Sequence, residues 1–413
     1  MELSSCKSPT LQTLIILPLL AFTLIFLLAL SPHRPFNIAT RCAAAAANLT
    51  APQTIGAQSS GDRLGAPPAP EKCDIFAGEW IPNAEAPYYT NETCYSIQPH
   101  QNCMKYGRPD WGYLKWRWKP ERCELPVFDP RRFLELGRNK SLAFVGDSIA
   151  RNHFQSLVCL LTRVAYPVEI SNSKDENRKH MLYKDYNFTV RMFWSPYLVK
   201  TGTTFSKLID LYLDELDESW TSEISTFDYV IISAAHWFFR PTKFYLDAQP
   251  VGCLYCPDPN LTHLTEHFSY RWALRTALRA INRLEGFKGV TFLRSLAPQH
   301  FENGDFDEGG ECVRKEPFKR NETIVGKFKM GMGLYDIEKE EFAVAVKEGR
   351  RGFRWFDVTE AMLLRGDGHP NGYGHWPNPN VTMYNDCMHW CLPGPIDAWN
   401  DFLWELLKRE TED

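Results

Sequence analysis

Several features that mark other protein classes are missing from this sequence of 413 residues. There is no excess of basic residues, because 46 Lys and Arg face 50 Asp and Glu and the formal net charge is −4. This balance argues against nucleic acid as the main partner. There is also no internal repeat and no glycine-rich phosphate loop, so a nucleotide-sugar site of the usual kind is not supported. Aromatic residues, by contrast, make up 14% of the chain, and such rings pack cores or stack on sugar faces.

A stretch without any charged residue, residues 11–30, follows a short tail, residues 1–10. Because about 20 apolar residues can cross a bilayer, we predict a retained transmembrane signal anchor and a cytosolic tail. A cleaved signal peptide is the alternative, with small-residue cleavage sites at 43–47, but its apolar region normally has only about 7–15 residues. Residues 31–71 have no periodic apolar pattern and end in a run rich in Ala and Pro, which predicts a flexible luminal stem.

The basic residues around this span do not decide its orientation, since Lys7 precedes it while Arg34 and Arg41 follow it. Ten cysteines after Cys42 suit disulfides in an oxidising compartment. Seven Asn-x-Ser/Thr sequons are candidate glycosylation sites of the secretory lumen: Asn48, Asn91, Asn139, Asn187, Asn260, Asn321 and Asn380. We therefore predict a single-pass type II membrane glycoprotein of the secretory pathway, with its catalytic domain in the lumen.

Strand-like and helix-like segments alternate over residues 131–413. The strand candidates are Leu142–Val145, Tyr229–Ala235, Val290–Ser295 and Phe353–Val358. The clearest helical pattern is Glu266–Leu284, whose arginines at four-residue spacing favour a solvated face over a docking surface for an acidic partner. The alternation predicts an α/β domain with a mostly parallel sheet flanked by helices.

Residues 72–130 differ from this domain, since they carry four cysteines, several prolines and many aromatic residues but few long apolar runs. This composition predicts a loop-rich N-terminal lobe held by disulfides. We interpret Trp116 and Trp118 as packing residues. In the alternative, one of them lines a sugar-binding cleft together with Lys115, Arg117 or Lys119.

The tripeptide Gly146-Asp147-Ser148 joins the apolar run Leu142–Val145 to the start of a helical pattern. This junction predicts a tight turn between a strand and a helix, at the sheet edge where open α/β sheets bind ligands. Free N–H groups at a helix N-terminus favour a developing negative charge, so Ser148 is the candidate nucleophile. Asp147 is interpreted as a turn and capping residue, and a plain helix cap is the simpler alternative for the tripeptide.

A serine nucleophile needs a base and a residue that orients it, and the best source lies near the C terminus. There, Asp386 and His389 are three residues apart, so in a helical turn both side chains would fall on one side. Cys387 and Cys391 flank the histidine. Two disulfides at these positions would hold the base in place.

Other histidines and cysteines offer competing sites. Asp367-Gly368-His369-Pro370 and His375 lie in sequence that is typical of a surface loop. A zinc site built from His369, His375 and His389 has suitable ligand types but no recurring metal-ligand spacing. Cys253-Leu254-Tyr255-Cys256 has the spacing of a redox motif, yet a local disulfide is favoured in an oxidising lumen. We therefore predict no metal site.

Taken together, these motifs resemble those of the plant trichome birefringence-like family, a PC-esterase branch related to GDSL/SGNH hydrolases. The resemblance covers about residues 73–407, and its motifs are Gly146–Ser148 with Arg151-Asn152, His236-Trp237, His300–Gly304, Gly309–Cys312 and Asp386–Pro395. It implies an SGNH-hydrolase-like fold and a Golgi type II enzyme that O-acetylates cell-wall polysaccharides. No bound cofactor is implied, and acetyl-CoA or another luminal donor would be the co-substrate. Segments 236–239, 252–256 and 310–312 look most like the branch that acetylates xyloglucan, with mannan acetylators nearby.

The resemblance also implies roles for individual residues, with Ser148 as nucleophile, Asp386 as orienting acid and His389 as base. Many family members carry Asn-Thr-Gly before the His-Trp pair, where related hydrolases have an oxyanion-hole group, but this chain has Ser233-Ala234-Ala235. We therefore expect the Ser148 N–H to be one oxyanion donor and Asn152 or a main-chain N–H near Ala235 to be the second. The candidates for oxyanion or substrate binding are Gly146, Arg151, Asn152, Ala235, His236 and Trp237.

The cysteine pattern of the family implies four disulfides: Cys73–Cys123, Cys94–Cys159, Cys103–Cys391 and Cys312–Cys387. The expected reaction is a double displacement in which acetyl-serine forms and a sugar hydroxyl then collects the acetyl group. A polysaccharide acetylesterase would use the same residues, with water in place of the sugar. An alternative from another class is a non-catalytic wall-polymer binding protein that uses residues 111–118, but an intact Ser/Asp/His set has no role in simple binding.

Overall fold

The structure is a computed structural model that describes residues 73–171, 175–203, 208–320, 322, 331–349, 352–380 and 382–412. The predicted tail, anchor and stem, residues 1–71, lie outside the described residues, as do the sequon residues Asn48 and Asn321. Within the described ranges, no helix is long and apolar enough to cross a membrane. The other sequon asparagines are all at least partly exposed: Asn91, Asn139, Asn187, Asn260 and Asn380.

The described residues contain thirteen strands and seven α-helices. The strands are β1 (Gly78–Pro82), β2 (Trp116–Pro120), β3 (Ser141–Gly146), β4 (Val168–Glu169), β5 (His180–Tyr183), β6 (Phe188–Trp194), β7 (Val199–Thr203), β8 (Ile209–Leu216), β9 (Tyr229–Ser233), β10 (Thr242–Leu246), β11 (Gln249–Leu254), β12 (Val290–Arg294) and β13 (Phe353–Phe356). The helices are α1 (Pro130–Leu136), α2 (Ser148–Leu161), α3 (Glu218–Thr221), α4 (Glu266–Arg283), α5 (Met332–Glu348), α6 (Thr359–Leu363) and α7 (Ala398–Glu412).

The larger sheet has seven strands in the order β13-β12-β9-β3-β6-β5-β4. Its first five strands are parallel, and β5 and β4 add an antiparallel edge. The four predicted strands are present as β3, β9, β12 and β13, and they lie side by side. Strand β9 is buried along its whole length, as expected for a continuous apolar run in a sheet that is covered on both faces. The predicted α/β class is confirmed, with a sheet that is mixed at one edge.

A second sheet, which the sequence did not predict, has four strands in the order β11-β10-β8-β7. Strand β8 buries Leu211 and Leu213 but exposes Asp214. Such a half-buried strand mixes apolar and charged residues and gives a weaker sequence signal than a continuous apolar run. Thr276 of α4 donates a hydrogen bond to the Leu213 carbonyl oxygen at 2.7 Å, which joins this sheet to the helical layer.

Helix α4 is the predicted helix with its row of arginines, but the interpretation of that row as a solvated face is wrong. Arg271 and Arg275 form ion pairs with Glu341 of α5, and Arg279 forms one with Glu348. The acidic partner is thus another helix of the same chain. A pattern within one helix cannot reveal such a partner, since α5 lies about 60 residues further along the chain.

The N-terminal part of the described chain is built around β1 and β2, which pair antiparallel with Trp80 opposite Trp118. Both indoles are buried. The indole N–H of Trp118 donates to the Ile75 carbonyl oxygen at 2.9 Å, and that of Trp80 donates to the Ala361 carbonyl oxygen at 2.8 Å. Trp116 is half-buried against the same core. Trp118 and Trp116 therefore pack this lobe, residues 73–129, onto the α/β domain.

All ten cysteines after Cys42 form disulfides. Four of these disulfides join the pairs that the family resemblance implies: Cys73–Cys123, Cys94–Cys159, Cys103–Cys391 and Cys312–Cys387. The fifth is the local bond Cys253–Cys256. Cys103–Cys391 spans 288 residues of sequence and ties the lobe to the segment that carries His389.

Candidate active site

Ser148 is the first residue of α2, directly after the central strand β3. The turn depends on Gly146, which has φ +155° and whose Cβ, if present, would lie 1.7 Å from the Ser233 carbonyl oxygen. Only glycine fits this close approach between two strands. Asp147 caps α2, because its Oδ1 accepts a hydrogen bond from the Ile149 N–H at 2.9 Å. The backbone thus presents Ser148 at the carboxyl edge of the sheet.

The second carboxylate oxygen of Asp147 extends its role beyond capping. Oδ2 accepts a hydrogen bond from the Ala235 N–H at 3.0 Å, which joins the turn to the segment after β9. This bond occupies the N–H of Ala235 itself. Of the main-chain N–H groups predicted near Ala235 as the second oxyanion donor, this one is therefore excluded.

The three side chains predicted to act together are in hydrogen-bond contact. Ser148 Oγ lies 2.7 Å from His389 Nε2, and His389 Nδ1 lies 2.8 Å from Asp386 Oδ2. Since a carboxylate only accepts, His389 carries its hydrogen on Nδ1 and leaves Nε2 to accept the proton of Ser148. The order of donors and acceptors is the one that a serine nucleophile requires.

The electrostatics around Ser148, His389 and Asp386 favour a charged Asp386 and an uncharged His100. Burial opposes ionisation of Asp386, but attraction to His389 and hydrogen bonds from it outweigh burial and hold the pKa of Asp386 well below its ordinary value. The ring of His100 lies 5.1 Å from that of His389. Burial, followed by repulsion from His389, lowers the pKa of His100 to about 3. At neutral pH, His100 is therefore uncharged and does not compete with His389 for an ion pair with Asp386.

The segment around His389 is not helical, so the predicted helical turn is wrong. Instead, Asp386 Oδ1 accepts hydrogen bonds from the N–H groups of Met388 and His389, at 3.1 and 2.9 Å. Short polar side chains commonly fold the backbone around themselves in this way. One carboxylate thus shapes the turn with one oxygen and orients the imidazole with the other.

Asn152 binds the backbone of the segment that carries His389. Its Oδ1 accepts from the Trp390 N–H at 2.8 Å, and its Nδ2 lies 3.4 Å from the Trp390 carbonyl oxygen. Asn152 is fully buried and lies one helical turn after Ser148. The amide that was predicted as a candidate second oxyanion donor thus fixes the residue after His389. The Ser148 N–H, at the first position of α2, has no acceptor within its helix.

Behind His389 lie two buried histidines, His369 and His300. His369 was considered only as part of a competing site, and His300 only as part of a family motif. His369 Nδ1 lies 2.7 Å from the His389 carbonyl oxygen, and His369 Nε2 lies 2.7 Å from His300 Nδ1. His300 Nε2 in turn lies 3.0 Å from the Leu363 carbonyl oxygen. Burial lowers the pKa of His300 to about 4 and puts that of His369 well below its ordinary value. These rings support the backbone of the base segment.

The surface-loop interpretation of Asp367–Pro370 is wrong, because this segment is buried. Arg365 forms a buried ion pair with Asp367 at 2.8 Å. Arg108 of the lobe donates hydrogen bonds to the carbonyl oxygens of Asp367 and His369, at 2.6 and 2.9 Å. Buried backbone groups need such partners, and here Arg108 supplies them. Within the described residues, no group of three His, Cys, Asp or Glu side chains is placed to hold a metal ion.

A cleft of about 850 Å³ opens beside Ser148. His236 and Trp237, both predicted to bind substrate, line it. The guanidinium of Arg240 lies 3.6 Å from the Trp237 ring centroid. Burial lowers the pKa of His236 to about 4, so this ring is uncharged at neutral pH. A cleft of this size holds a drug-sized ligand or several sugar units.

Other predicted contacts lie away from this cleft. Arg151 donates to Asn177 and packs over Trp194, and it is not among the described residues that line the cleft. Trp116 and Trp118 do not line this cleft either, and Trp116 lies instead with Arg117 at a separate, small cavity. Three exposed aromatic residues of the cleft were not predicted as site residues: Tyr255, Phe306 and Tyr384. Tyr255 lies within segment 252–256, which the family resemblance includes, whereas the only signal for Phe306 and Tyr384 was their proximity to the His300–Gly304 and Asp386–Pro395 motifs.

Comparison with known proteins shows which protein family the chain matches. Residues 125–406 match the PC-esterase family, described as a GDSL/SGNH-like acyl-esterase family found in Pmr5 and Cas1p. Residues 71–124 match the PMR5 N-terminal domain. The chain belongs to the PC-esterase family. The two matches together cover the lobe and the α/β domain that carries Ser148, Asp386 and His389.

Individual relatives in this family are similar over most of the chain. Protein trichome birefringence-like 19 of Arabidopsis thaliana is 55% identical over 354 residues, which cover 83% of this chain and 82% of that protein. Protein trichome birefringence-like 20 of the same plant is 51% identical and covers 82% of this chain and 72% of its own length. Xyloglucan O-acetyltransferase 4 of Populus trichocarpa is 43% identical and covers 82% of each chain. The resemblance to the trichome birefringence-like family is confirmed.

Proposed function

We propose that this protein transfers acetyl groups to hydroxyls of a plant cell-wall hemicellulose, most of all xyloglucan, through an acetyl-serine intermediate at Ser148. The observation that carries this proposal is the hydrogen-bonded series Ser148–His389–Asp386 beside an open cleft. Relatives that are named xyloglucan O-acetyltransferases support both the reaction and the polymer. Mannan or another wall polysaccharide is the alternative acceptor.

The first half-reaction loads the enzyme with acetyl. His389 Nε2 takes the proton of Ser148 as Oγ attacks the carbonyl carbon of the acetyl donor. A bond forms between these atoms and negative charge moves to the carbonyl oxygen, which the Ser148 N–H stabilises at the N-terminus of α2. The intermediate then collapses, and the leaving group departs with the proton from His389. Asp386 stabilises the imidazolium while it carries that proton.

The second half-reaction transfers the acetyl group to the acceptor. A sugar hydroxyl gives its proton to His389 Nε2 and attacks the carbonyl carbon of acetyl-Ser148. The new tetrahedral intermediate collapses with cleavage of the bond to Oγ, and Ser148 regains its proton from His389. Each half-reaction returns His389 to its starting protonation state. The two steps together move one acetyl group from donor to sugar.

We place this reaction in the Golgi lumen, in a single-pass type II protein. The apolar span of residues 11–30 and the seven sequons support this location. The five disulfides support it as well, because disulfides persist in oxidising compartments. The acetyl donor is acetyl-CoA or another luminal acetyl compound.

Mass analysis of the intact protein tests the intermediate. The full-length chain and its Ser148→Ala variant are incubated with an acetyl donor, and the acetylated peptide is then identified. We expect an adduct at Ser148 in the wild type and none in the variant. An adduct of equal yield in both proteins would contradict the role of Ser148 as the nucleophile.

A polysaccharide acetylesterase is the second candidate, favoured by the acyl-esterase description of the family. The two reactions share the first half-reaction and differ in whether a sugar or water attacks acetyl-Ser148. Isotope-labelled donor, given with xyloglucan, mannan and xylan oligosaccharides, separates them. Label on an oligosaccharide supports the transferase, whereas label only in free acetate supports the esterase.

A further inference from the structure

The cleft beside Ser148 has a wall of aromatic residues that are far more exposed than core residues. Phe306 is 52% exposed, Tyr384 is 47% exposed and Tyr255 is 64% exposed, and all three line the cleft. A single exposed aromatic residue is ordinary on a protein surface, but a cluster beside a reactive group marks a binding surface. None of the three takes part in the proposed chemistry at Ser148.

Two of these rings stack on each other. The ring centroids of Phe306 and Tyr384 are 4.8 Å apart, and their planes differ by 22°. Phe301 supports the pair from the side, with its ring edge-on to Phe306 at 6.2 Å. Phe306 and Tyr384 keep about half of their surface exposed and both line the cleft, so the stacked pair is accessible to a ligand there. We call the two rings the aromatic platform.

The platform is held rigidly to the segment that carries the base. Backbone hydrogen bonds between Glu302 and Glu311 close the loop around Phe306, at 2.8 and 2.9 Å. The disulfide Cys312–Cys387 then joins this loop to the residue after Asp386. Asn385 Nδ2 adds a hydrogen bond to the Gly310 carbonyl oxygen at 2.9 Å. A ligand on the platform is therefore held at a fixed place relative to His389 and Ser148.

The polar residues next to the platform have the chemistry of hydroxyl recognition. Asp305 and Asp307 flank Phe306 in sequence, and both line the cleft. Carboxylates accept hydrogen bonds from hydroxyl groups, while the C–H faces of sugar rings suit apolar aromatic surfaces. Stacking and hydroxyl binding from one loop together fit a sugar chain better than a purely apolar ligand.

The charge of the lining also discriminates among polymers. Asp305, Asp307 and Asp386 contribute three carboxylates, and Arg240 is the sole arginine or lysine among the described lining residues. His100 and His236 add no charge at neutral pH, because burial lowers their pKa to about 3 and about 4. Such a surface repels a chain that carries uronic acids and admits a neutral one.

We infer that the aromatic platform, with Asp305 and Asp307, is the acceptor subsite that holds a neutral hemicellulose chain beside Ser148. This inference rests on the proposed function, which it deepens by naming the residues that select the acceptor. Phe306 and Tyr384 bind the sugar chain and take no part in bond making. The acetyl donor reaches Ser148 without contact to the platform.

Equilibrium binding by calorimetry tests the platform independently of catalysis. The full-length chain and the variants Phe306→Ala, Tyr384→Ala and Tyr384→Phe are titrated with a neutral xyloglucan oligosaccharide. Loss of one stacking ring should raise the Kd about tenfold in each Ala variant, while Tyr384→Phe keeps the affinity because the ring remains. Trp111→Ala is the matched control, since Trp111 is also 53% exposed but does not line the cleft.

A second readout is the formation of acetyl-Ser148 from a small acetyl ester, which separates a defect in sugar binding from a defect in acetyl loading in the Ala variants. In addition, Asp305→Asn with Asp307→Asn should bind an acidic oligogalacturonide more tightly than the wild type does.

Unchanged Kd values in the Ala variants would overturn the inference, as would a loss of acetyl-Ser148 formation without a change in Kd, which would place the donor on the platform. If the platform variants lose sugar binding but the wild type transfers no acetyl group, the proposed function fails and the subsite stands.

Discussion

At the scale of single residues, Asp386 determines whether Ser148 can be activated. Its Oδ2 selects the tautomer of His389, and its Oδ1 binds the two backbone N–H groups that shape the turn. Replacement by an amide keeps the size of the side chain but turns one acceptor into a donor. A donor facing His389 Nδ1 would leave the hydrogen of the imidazole on Nε2, the atom that must accept the proton of Ser148.

We therefore expect Asp386→Asn to lower kcat for acetyl transfer by about four orders of magnitude, the loss that follows when a triad histidine is held in the wrong tautomer. Steady-state rates measure kcat, and a melting curve shows whether the variant is folded. A folded variant with more than a tenth of the wild-type rate would contradict the role given to Asp386.

His369 is a positioning residue that acts through the backbone of His389. Its Nδ1 supplies the donor for the buried His389 carbonyl oxygen at 2.7 Å. In His369→Leu this acceptor loses its partner, which costs about 1–3 kcal/mol and should lower kcat by about 10- to 100-fold as the base moves. In His369→Asn the side-chain amide places a donor near the position of Nδ1, so most of the rate should return. Equal rates in the two variants would show that the hydrogen bond to His389 does not matter.

Ser148, Asp386 and His389 were predictable because each lies in a local pattern with a chemical meaning. For Ser148 the pattern is a strand–turn–helix junction, and for the other two it is a carboxylate three residues before an imidazole. The second oxyanion donor was not predictable. The Ala235 N–H is taken by Asp147 and Asn152 is taken by Trp390, and both contacts join segments that are more than 80 residues apart. The competition for a hydrogen-bond donor is decided by tertiary structure, which local sequence does not reveal.

At the scale of elements, the start of helix α7 carries two carboxyl groups at the junction with the lobe. Asp397, just before the helix, accepts hydrogen bonds from the hydroxyls of Tyr89 and Ser156, at 2.7 and 2.5 Å. Asp401, in its first turn, accepts from the Phe128 N–H at 2.7 Å. Burial outweighs these hydrogen bonds and raises the pKa of Asp397 to about 6 and that of Asp401 to about 8.

These raised pKa values predict that Asp397 and Asp401 contribute less stability to the folded protein as the pH rises. A carboxyl whose pKa is higher in the folded state keeps a proton that the unfolded chain has released. The stabilisation is complete below the ordinary carboxyl pKa of about 4 and is lost as the pH approaches 6 for Asp397 and 8 for Asp401. Buried histidines with lowered pKa values, such as His100 and His300, change the stability in the opposite direction over this range, so calorimetry must compare variants at each pH.

The Tm of Asp401→Asn, taken relative to that of the wild type, should therefore be higher at about pH 8 than at about pH 5, because the amide still accepts the Phe128 N–H but cannot ionise. Asp185→Asn, on an exposed turn, is the matched control and should follow the wild type at both pH values. If the Tm difference between the wild type and Asp401→Asn does not change with pH, then Asp401 is not the titrating group.

Element prediction succeeded where burial is uniform and failed where it is not. Strands β3 and β9 are buried on both faces, so their apolar runs are unmistakable. Strands β7 and β8 mix polar with apolar residues, and β10 and β11 do the same, so the second sheet had no comparable signal. The arginine row of α4 was visible, but its partner helix was not, because charge complementarity between helices requires knowledge of which helices pack together.

At the scale of the whole molecule, the nucleophile and the base come from segments 241 residues apart, and the lobe connects them. Cys94 of the lobe is bonded to Cys159 at the back of α2, while Cys103 is bonded to Cys391 after His389. The lobe therefore holds the nucleophile helix and the base segment as one unit. The PMR5 N-terminal domain match over the lobe thus covers a region that fixes the segments of Ser148 and His389 in place.

This arrangement predicts that two disulfides of the lobe differ in their effect on catalysis. Removing Cys103–Cys391 or Cys73–Cys123 by paired Ser substitutions should lower stability in both cases, by about 2–5 kcal/mol, because each bond restricts the unfolded chain. Only the first pair, however, holds the segment of His389. At a temperature where all variants are folded, Cys103→Ser/Cys391→Ser should show a reduced kcat, and Cys73→Ser/Cys123→Ser should keep the wild-type value. Equal kcat values in the two variants would mean that the lobe stabilises the fold without positioning His389.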